Sequence, residues 1–550
     1  MSATVTTDAT DDSQLPAGQN GQIRRRSNAP SSRDHPPTMD PRRRTLVLAS
    51  MCLALLLVIA GVSMLAVGLS RVGEALSLSQ TSLTWVADAY ALTLASLLLL
   101  AGAIGDRFGR RRALVVGVAI FALGSLMSAL ASTGGELIAF RALTGIGGAL
   151  VMPGTLSTIT SVFPAEERAR AVGIWAGFAG AGGTLGMLAA GWLLDNFSWK
   201  SIFFVTAGLG VLTFLAVLAV VPETRSSEHV GLDPLGTIFS ALAIGSFVLG
   251  VIEGPIRGWV DPLSTGALAA GIGFGVAFVF WELRAEHPLL DPRLFRYRGF
   301  ATGSASLLVM FVAMFGLFIV ILQYLQLILG YSSLKAAVAL LPMAALMIPV
   351  STFAATLSMR YGQRIIGGAG LAIGGVGLFV FATLDAASGY TGLLIAQLTL
   401  ALGMGLAMTP ATNAIVGSLP PSKQGVASAV NDTTREIGTA LGIAIMGSMF
   451  TSGYRSALSG KLAGLPADVA AQAKESPGLG LQAAGRLGAA GDGLGNAIRS
   501  SFTSGMRLSM IVGASVMLAA AAFLSLRGPS RAQETAEDIV DILPTDVMTA

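Results

Sequence analysis

Five ionisable side chains stand inside long apolar stretches of the sequence. They are Asp88, Arg141, Asp432, Arg435 and Glu436. A charged group at the centre of a bilayer costs about 2.5–3.5 kcal/mol on insertion scales, so these positions are functional candidates by default. Carboxyl groups in such places can load and release protons, and arginines can hold an acidic partner. We therefore take these five as the candidate proton-coupling and substrate residues.

Other roles are open for the residues in the later stretches. Asp432 and Arg435 are three residues apart, so on a helix they could simply neutralise each other. Glu436 follows Asp432 by four residues, and the two carboxyl groups would then share one helix face. Arg141 could bond to backbone carbonyls or to a facing acid instead of taking part in coupling.

Asp88 has a different setting. It follows Trp85, and tryptophan is typical of the interface between membrane and water. We expect Asp88 in the outer third of its helix, where it can exchange protons with the outside. It is our first candidate for the coupling carboxylate, with Asp432 and Glu436 as the competing site. A merely solvated or helix-capping aspartate is the alternative.

A compact charged segment joins the second and third apolar stretches. Its candidate gating residues are Gly102, Asp106, Arg107, Gly109, Arg110 and Arg111. Because the linker is short, we expect Gly109 to adopt a backbone conformation that other residues avoid. Asp106 can pair with an arginine or cap a neighbouring helix. Anchoring of positive charge at the inner surface is the simpler interpretation of these residues.

Glycines crowd the fifth apolar stretch. They are Gly177, Gly180, Gly182, Gly183, Gly186 and Gly191. Spacings of three to five residues place several of them on one helix face. Gly182, Gly186 and Gly191 form a candidate helix-packing motif, which permits close approach of two backbones. The contact could be plain packing or a sliding contact that seals the outer side.

Composition decides the class of protein. Charged residues make up only 12% of the 550 residues and apolar residues 53%, with a mean hydropathy of +0.70. A soluble domain has about 25% charged residues, so these values indicate a membrane protein. The single cysteine, Cys52, excludes an intrachain disulfide and any multi-cysteine metal site. Three histidines in polar stretches, His35, His229 and His287, argue against a histidine-ligated metal. We expect no cofactor.

Fourteen apolar stretches are each long enough to cross a bilayer as a helix of about 20 residues. The sequence therefore predicts an all-α polytopic membrane protein. Met152-Pro153-Gly154-Thr155 in the fourth stretch is echoed by Thr409-Pro410-Ala411-Thr412 in the twelfth, which indicates an internal duplication. Such repeats favour a central site opened alternately to each side.

The duplication and the charge pattern define the expected domains. The segments are a disordered cytoplasmic tail at 1–44, a six-helix half at 45–221, a two-helix insert at 222–299, a second six-helix half at 300–526 and a tail at 527–550. If the N-terminus is cytoplasmic, inner segments hold 23 of the 35 Lys and Arg residues. Both termini should therefore be cytoplasmic. The loop at 452–503 should lie outside, as a disordered or loosely helical flap or as a substrate lid.

Several motifs together resemble one known family. The run from Gly102 to Arg111 resembles the signature between spans 2 and 3 of the major facilitator superfamily. Fourteen spans with a central inserted pair resemble its drug:proton antiporter branch. Trp85-Val-Ala-Asp88-Ala-Tyr90 resembles span 2 of that branch. The stretch that begins at Arg141 resembles its span-4 motif, and 424–438 resembles its span 13.

This resemblance covers about 45–526, and it implies the major-facilitator fold. It also implies that Asp106, Arg107, Gly109 and Arg110 gate the cytoplasmic side through charge pairs that change between conformations. The implied function is proton-coupled export of lipophilic drugs or antibiotics, cationic ones among them, across the cytoplasmic membrane. A transporter of another solute, such as a lipid, amino acid, sugar or peptide, is the alternative.

The sequence departs from the family pattern at three places. Span 1 contains no acid, and Ala66 and Ser70 stand where the family has Asn and Pro. One common proton carrier is therefore missing. Span 5 lacks the usual proline, because Met187 follows Gly186, so a bend there is less assured. In span 4, Thr144 replaces the usual Gln.

The expected partners are few. They are a small lipophilic substrate, protons and the lipid bilayer, and the protein is expected to be a monomer. The arginines lie mostly in short loops and not on one face, which argues against nucleic acid. A membrane enzyme is disfavoured because the sequence has no nucleophile–base or phosphate-binding motif. The internal duplication argues against a receptor or a structural membrane protein.

Overall fold

The computed structural model describes residues 39–78, 80–224, 233–286, 288–385, 388–419, 423–462 and 465–529. Most of both predicted tails, most of the segment 222–232 and all three histidines lie outside the described residues.

The described residues form α-helices almost throughout, with no β-strand among them. The helices are α1 (Pro41–Ala75), α2 (Gln80–Phe108), α3 (Arg110–Leu130), α4 (Gly134–Val162), α5 (Ala165–Asn196), α6 (Lys200–Val220), α7 (Pro234–Arg257), α8 (Pro262–Glu282), α9 (Arg298–Gln323), α10 (Ser333–Tyr361), α11 (Gln363–Ala382), α12 (Gly389–Gly417), α13 (Gln424–Ser459), α14 (Ala467–Glu475), α15 (Pro477–Arg486) and α16 (Asp492–Arg527). A π-helical turn at Tyr324–Ile328 extends α9. Fourteen of these helices, α1–α13 and α16, are long and apolar enough to cross a membrane. The prediction of an all-α protein with fourteen spans is confirmed.

Local sequence signals define several helix ends. At α4, the Thr133 side chain accepts from the Glu136 amide while the Glu136 carboxylate accepts from the Thr133 amide, a capping box. Both helices of the central insert begin with an aspartate followed by a proline, since Asp233 caps α7 and Asp261 caps α8. Proline suits the first helical position because its missing N–H would have no helical partner there.

The two halves repeat the same helix pairings. In the first half, α2 and α3 pack on α4, and α1 packs on α5. In the second half, α10 and α11 pack on α12, and α9 packs on α13. The pairing of α3 with α6 is matched by that of α11 with α16. This agreement supports the duplication that the proline-containing motifs predict. Between the halves, α5 packs on α10, and α2 and α4 pack on α13.

The central insert is a helical hairpin attached through one of its helices. α7 packs on α8 and also on α2 and α13. Most of the apolar part of α8 is not covered by the rest of the protein. Exposed apolar side chains such as Ile272, Val276 and Phe280 suit contact with lipid. The hairpin therefore lies at the edge of the helical bundle.

The segment at 452–503, expected as a disordered or loosely helical flap, is largely helical in its described residues. α13 continues to Ser459 and α16 already begins at Asp492, and between them lie α14 and α15. The Tyr454 hydroxyl donates to the Ala473 carbonyl at 2.7 Å, which joins α13 to α14. The abundant Ala and Gly of this segment obscure its helical periodicity in the sequence. Its role as a lid remains a prediction.

Candidate functional site

Asp106 joins the two halves of the protein. Its carboxylate accepts hydrogen bonds from the backbone amides of Gly425, at 2.9 Å, and Val426, at 3.1 Å. These amides lie in the first turn of α13, where helix N–H groups have no partner within the helix and the dipole favours an anion. Arg110 donates to the same carboxylate at 2.7 Å. Asp106 thus pairs with an arginine and also caps a helix of the opposite half.

Two glycines make this contact possible. A Cβ on Gly102 would stand 2.5 Å from the carbonyl oxygen of Gly425, and a Cβ on Gly425 would likewise collide with the Gly102 carbonyl. The backbones of α2 and α13 therefore touch at this point, as small residues at membrane-helix contacts allow. We call the Asp106, Arg110, Gly102 and Gly425 contact the latch.

The other residues of the charged segment surround the latch. Gly109 has a φ of 109°, a backbone conformation that favours glycine, and this permits the abrupt change from α2 to α3. Arg111 donates to the Leu218 carbonyl at the end of α6. Arg107 is exposed, with its guanidinium 5.5 Å from the centre of the Phe108 ring. Of the candidate gating residues, only Asp106 and Gly102 contact the opposite half through the bonds and close approaches described above.

The predicted glycine motif of α5 serves two different neighbours. Gly182 and Gly186 face α1 of the same half, and a Cβ on Gly186 would stand 2.8 Å from the Ala60 Cα. Gly191 faces Leu334 of α10 in the other half. The close approach of α5 to the other half occurs at Gly173 and Gly177 instead. A Cβ on Gly173 would stand 2.8 Å from the Ser351 carbonyl oxygen, and a Cβ on Gly177 would stand 2.7 Å from the Ile348 Cα.

A buried ion pair lies on α13 between the two halves. Arg435 Nη1 is 3.3 Å from Asp432 Oδ1, so these residues do pair on one helix. The guanidinium carbon of Arg435 also lies 4.8 Å from the ring centre of Phe311 and 5.3 Å from that of Trp175. Trp175 belongs to α5 and Phe311 to α9, so Arg435 contacts both halves through cation–π interactions.

Several polar atoms around this pair have no hydrogen-bond partner among the described residues. They are Asp432 Oδ2, Arg435 Nε, Asn431 Oδ1 and Thr433 Oγ1. Buried polar groups are normally paired, so each of these atoms is free to bind a proton, a water molecule or a polar group of a substrate. The aromatic rings of Trp175 and Phe311 add an apolar surface beside them. The combination suits an amphipathic ligand.

Arg141 belongs to a second buried group. Its Nε donates to the Val86 carbonyl at 3.3 Å, and its guanidinium lies 4.4 Å from the ring centre of Tyr90. α13, which carries Glu436, packs on α2 and α4 of the other half, the helices that carry Tyr90 and Arg141. The fully buried Tyr90 hydroxyl has no hydrogen-bond partner among the described residues. Arg141 and Glu436 thus lie on opposite sides of the contact between halves.

Asp88 is separate from these groups. It is half-buried on α2, nine residues into the helix, and α2 packs on α7 of the insert. The structure therefore brings Arg141, Asp432, Arg435 and Glu436 into the interior between the halves and leaves Asp88 beside α7.

Sequence reasoning did not single out Trp175 and Phe311 at the ion pair, nor Glu253 on α7. Trp175 and Phe311 lie in apolar stretches and look like ordinary core residues, and no local signal separates them from other aromatic side chains. Glu253 was visible as an acid within the seventh apolar stretch. Among the described residues, no group of three or more His, Cys, Asp or Glu is placed to hold a metal ion.

Comparison with known proteins identifies the family. A sequence profile of the Major Facilitator Superfamily matches residues 51–443. The multidrug efflux pump LfrA of Mycolicibacterium smegmatis is 32% identical over 492 residues, which cover 89% of this chain and 97% of LfrA. The puromycin resistance protein pur8 of Streptomyces alboniger is 34% identical over 419 residues, covering 75% of this chain and 82% of pur8.

The fold agrees with solved structures. An inward-facing, unoccupied bacterial homologue of the human lysosomal transporter Spinster matches with a TM-score of 0.56 and 21% identity. The match covers 91% of this chain and 99% of the other. Fourteen apolar helices, a duplicated arrangement and the profile match agree with one another. The chain is thus a multi-pass membrane protein and belongs to the Major Facilitator Superfamily.

Proposed function

We propose that the protein is a proton-coupled exporter of small lipophilic compounds. These include drugs or antibiotics, and cationic compounds are among them. It moves them by alternating access and does not transform them, so it is not an enzyme. The relatives named as a multidrug efflux pump and a puromycin resistance protein support the substrate class. The observation that carries the proposal is the buried Asp432–Arg435 pair, held between an aromatic ring of each half.

The cationic guanidinium of Arg435 occupies the place that a lipophilic cation would prefer. A cation between Trp175 and Phe311 would gain the same cation–π attraction and would compete with Arg435. An ionised Asp432 attracts a cation at this site, and protonation of Asp432 removes that attraction. Proton and cationic substrate therefore act oppositely on one site, and this opposition is the thermodynamic linkage that antiport requires.

Alternating access requires contacts that hold the halves together in one state and release them in another. The latch has this character, since a single carboxylate binds the first turn of α13 across the two halves. In the proposed orientation the loops rich in Lys and Arg face the cytoplasm, so the latch closes the cytoplasmic end. Movement of α13 away from Asp106 would open that end and leave Asp106 paired with Arg110 alone.

We propose that Asp88 is the carboxylate that exchanges protons with the outside. It lies near the start of α2, at the end opposite to the latch, and is half-buried. Asp106 is 18 residues further along the same helix, about 27 Å away. Asp432 and Glu436 then serve the interior site. Span 1 contains no acid, so the spans of the first half offer few alternatives to Asp88.

The proposed setting is the cytoplasmic membrane, with the protein a monomer and both termini cytoplasmic. The domains keep the expected division into two six-helix halves, a central insert and two tails. The excess of Lys and Arg in alternate loops supports this orientation. The segment between α13 and α16 would then be extracytoplasmic.

Transport in proteoliposomes tests the proposal. Purified protein is reconstituted with a pH gradient, and a panel of lipophilic cations, neutral lipophilic drugs, amino acids, peptides and sugars is compared with protein-free liposomes. We expect lipophilic compounds to move against the proton flux and to dissipate the gradient. Movement of another solute class alone would favour the alternative transporter. Movement of lipophilic compounds without any effect of the gradient would refute proton coupling.

A further inference from the structure

A groove lies between α11 and α16, near the end of α11 that is remote from the latch. It is lined by Phe379, Ala382 and Thr383 of α11 and by Arg507 and Ile511 of α16, and its volume is about 350 Å³. Phe379 and Ile511 are each more than one-third exposed. The groove therefore combines an apolar surface with the positive charge of Arg507.

The position of Arg507 along α16 places it at a bilayer surface. Arg527, at the other end of the helix, is 20 residues further on, which is about 30 Å at 1.5 Å per residue. This length equals the thickness of the hydrocarbon core of a bilayer, so the two arginines mark its two boundaries. In the proposed orientation Arg507 stands at the outer boundary, where the phosphates of the outer leaflet begin.

The guanidinium of Arg507 is held at the end of α11. Its Nε donates to the Ala382 carbonyl at 3.3 Å, in the last turn of that helix, where carbonyl groups have no partner within the helix. Among the described residues, Arg507 forms no ion pair. The acid that follows α11, Asp385, accepts from the Ser388 hydroxyl at 2.7 Å. The positive charge of Arg507 is thus available to a ligand.

The corresponding place in the first half is filled by protein. α3 pairs with α6 as α11 pairs with α16. Trp199, which precedes α6, is buried in one apolar cluster with Ala129 and Ala131 at the end of α3. Its ring centre lies 5.6 Å from the ammonium of Lys200, the first residue of α6. An aromatic ring of the protein therefore takes both the space and the contact with the cation in the first half.

We propose that the groove binds one phospholipid, with the lipid phosphate on Arg507 and an acyl chain along Phe379 and Ile511. A guanidinium binds phosphate oxygens through two parallel N–H groups and is well suited to this anion. Ile511 lies one turn deeper in the membrane than Arg507, as an acyl chain does relative to its phosphate. An anionic headgroup is favoured, because the ammonium of a zwitterionic lipid already balances its own phosphate. The inference does not depend on which compound is transported.

A lipid in this position would join the two helices where they separate. Deeper in the membrane α11 and α16 are close, since a Cβ on Gly375 would stand 3.3 Å from the Ala514 carbonyl oxygen. At the level of the groove, the bond from Arg507 to the Ala382 carbonyl links them. The acyl chain fills the space beside this bond, and the phosphate completes the hydrogen bonding of the guanidinium.

Native mass spectrometry of the full-length protein titrated with phosphatidylglycerol tests the proposal. We expect Arg507→Gln to weaken the tightest lipid binding by at least about fivefold, because it removes one cation at the membrane surface. The parent should prefer phosphatidylglycerol to phosphatidylcholine, and Arg507→Gln should lose this preference. Unchanged affinity and preference in Arg507→Gln would show that the groove is not a phospholipid site.

Lys200→Gln is the matched control. It removes an equal charge from the corresponding position of α6, where Trp199 takes the place of a ligand. We expect its lipid binding to equal that of the parent. An equal loss in Lys200→Gln and Arg507→Gln would reveal a general attraction of interfacial cations for anionic lipid and would overturn the specific site.

Two measurements on the parent identify the ligand without relying on a variant. Phosphatidylglycerol with a photoreactive group in its acyl chain should attach to peptides that contain Phe379 or Ile511, and attachment only at other peptides would contradict the proposed position. Glycerol 3-phosphate has the phosphate but no acyl chain, so it should not displace the lipid at equal concentration. Displacement would mean that the groove is a simple anion site and that the acyl chain contributes nothing.

Discussion

Asp106 accepts a hydrogen bond from the Gly425 amide at 2.9 Å, although the two residues are 319 positions apart. One belongs to the end of α2 in the first half and the other to the first turn of α13 in the second. Gly102 and Gly425 allow the two backbones to meet there. A single carboxylate thereby ties a short charged loop to the helix that carries the Asp432–Arg435 pair.

Replacing Asp106 by Asn should abolish at least about nine-tenths of transport while leaving expression and membrane insertion intact. The Asn side chain keeps an oxygen that can accept a hydrogen bond from the α13 amides. It lacks the negative charge that interacts favourably with the helix N-terminus and balances the buried Arg110. Drug transport in vesicles measures the loss. Arg107→Gln is the control, because Arg107 is exposed in the same segment. Normal transport by Asp106→Asn would mean that the segment is only an anchor.

An alanine at Gly425 should open the latch end of the protein. Its Cβ would collide with the Gly102 carbonyl and the Asp106 carboxylate. Spin labels on Phe108 and Gly417, one in each half and both exposed, report the separation in a Cys52→Ser background. We expect a larger population at long distances in Gly425→Ala.

Gly447→Ala is the matched control for that variant. Gly447 also lies on α13, but a Cβ there meets no heavy atom within 4 Å. Its distance distribution should equal that of the parent. An unchanged distribution in Gly425→Ala as well would show that close approach of α2 and α13 does not hold the halves together.

Asp88→Asn should remove the proton release that substrate binding causes in detergent solution, because the amide cannot carry the exchanged proton. Asp432→Asn should weaken substrate binding through the loss of the Arg435 partner, while some proton release persists at saturating substrate. A pH-sensitive dye in weakly buffered solution measures the release. If Asp88→Asn releases protons like the parent and Asp432→Asn does not, the coupling carboxylate belongs to α13.

The orientation of the chain can be tested with reporter fusions. Fusions at the N-terminus, in the segment 222–232 and at the C-terminus should give a cytoplasmic signal, since alternate loops carry most of the Lys and Arg. A fusion near Gly485, in α15, should report the outside. A cytoplasmic signal at Gly485 would contradict the thirteen crossings that precede this point in the proposed orientation.

The sequence by itself determines the membrane class, the number of spans and the duplication. Each of these depends on local properties, namely the length of apolar stretches and the recurrence of short motifs around Pro153 and Pro410. The five candidate charges could also be found this way, because an ionisable residue within an apolar stretch stands out without knowledge of its neighbours. Helical spacing allows the pairing of Asp432 with Arg435, and the structure shows it.

Only the tertiary structure decides which helix faces which residue. No periodicity indicates that Asp106 caps α13 or that Trp175 and Phe311 lie beside Arg435. These contacts join residues far apart in the chain, and in a membrane the same apolar helix face suits lipid and protein equally well. Hydrophobicity therefore specifies that a helix crosses the bilayer, whereas close packing at glycines and pairing of buried charges specify its neighbours.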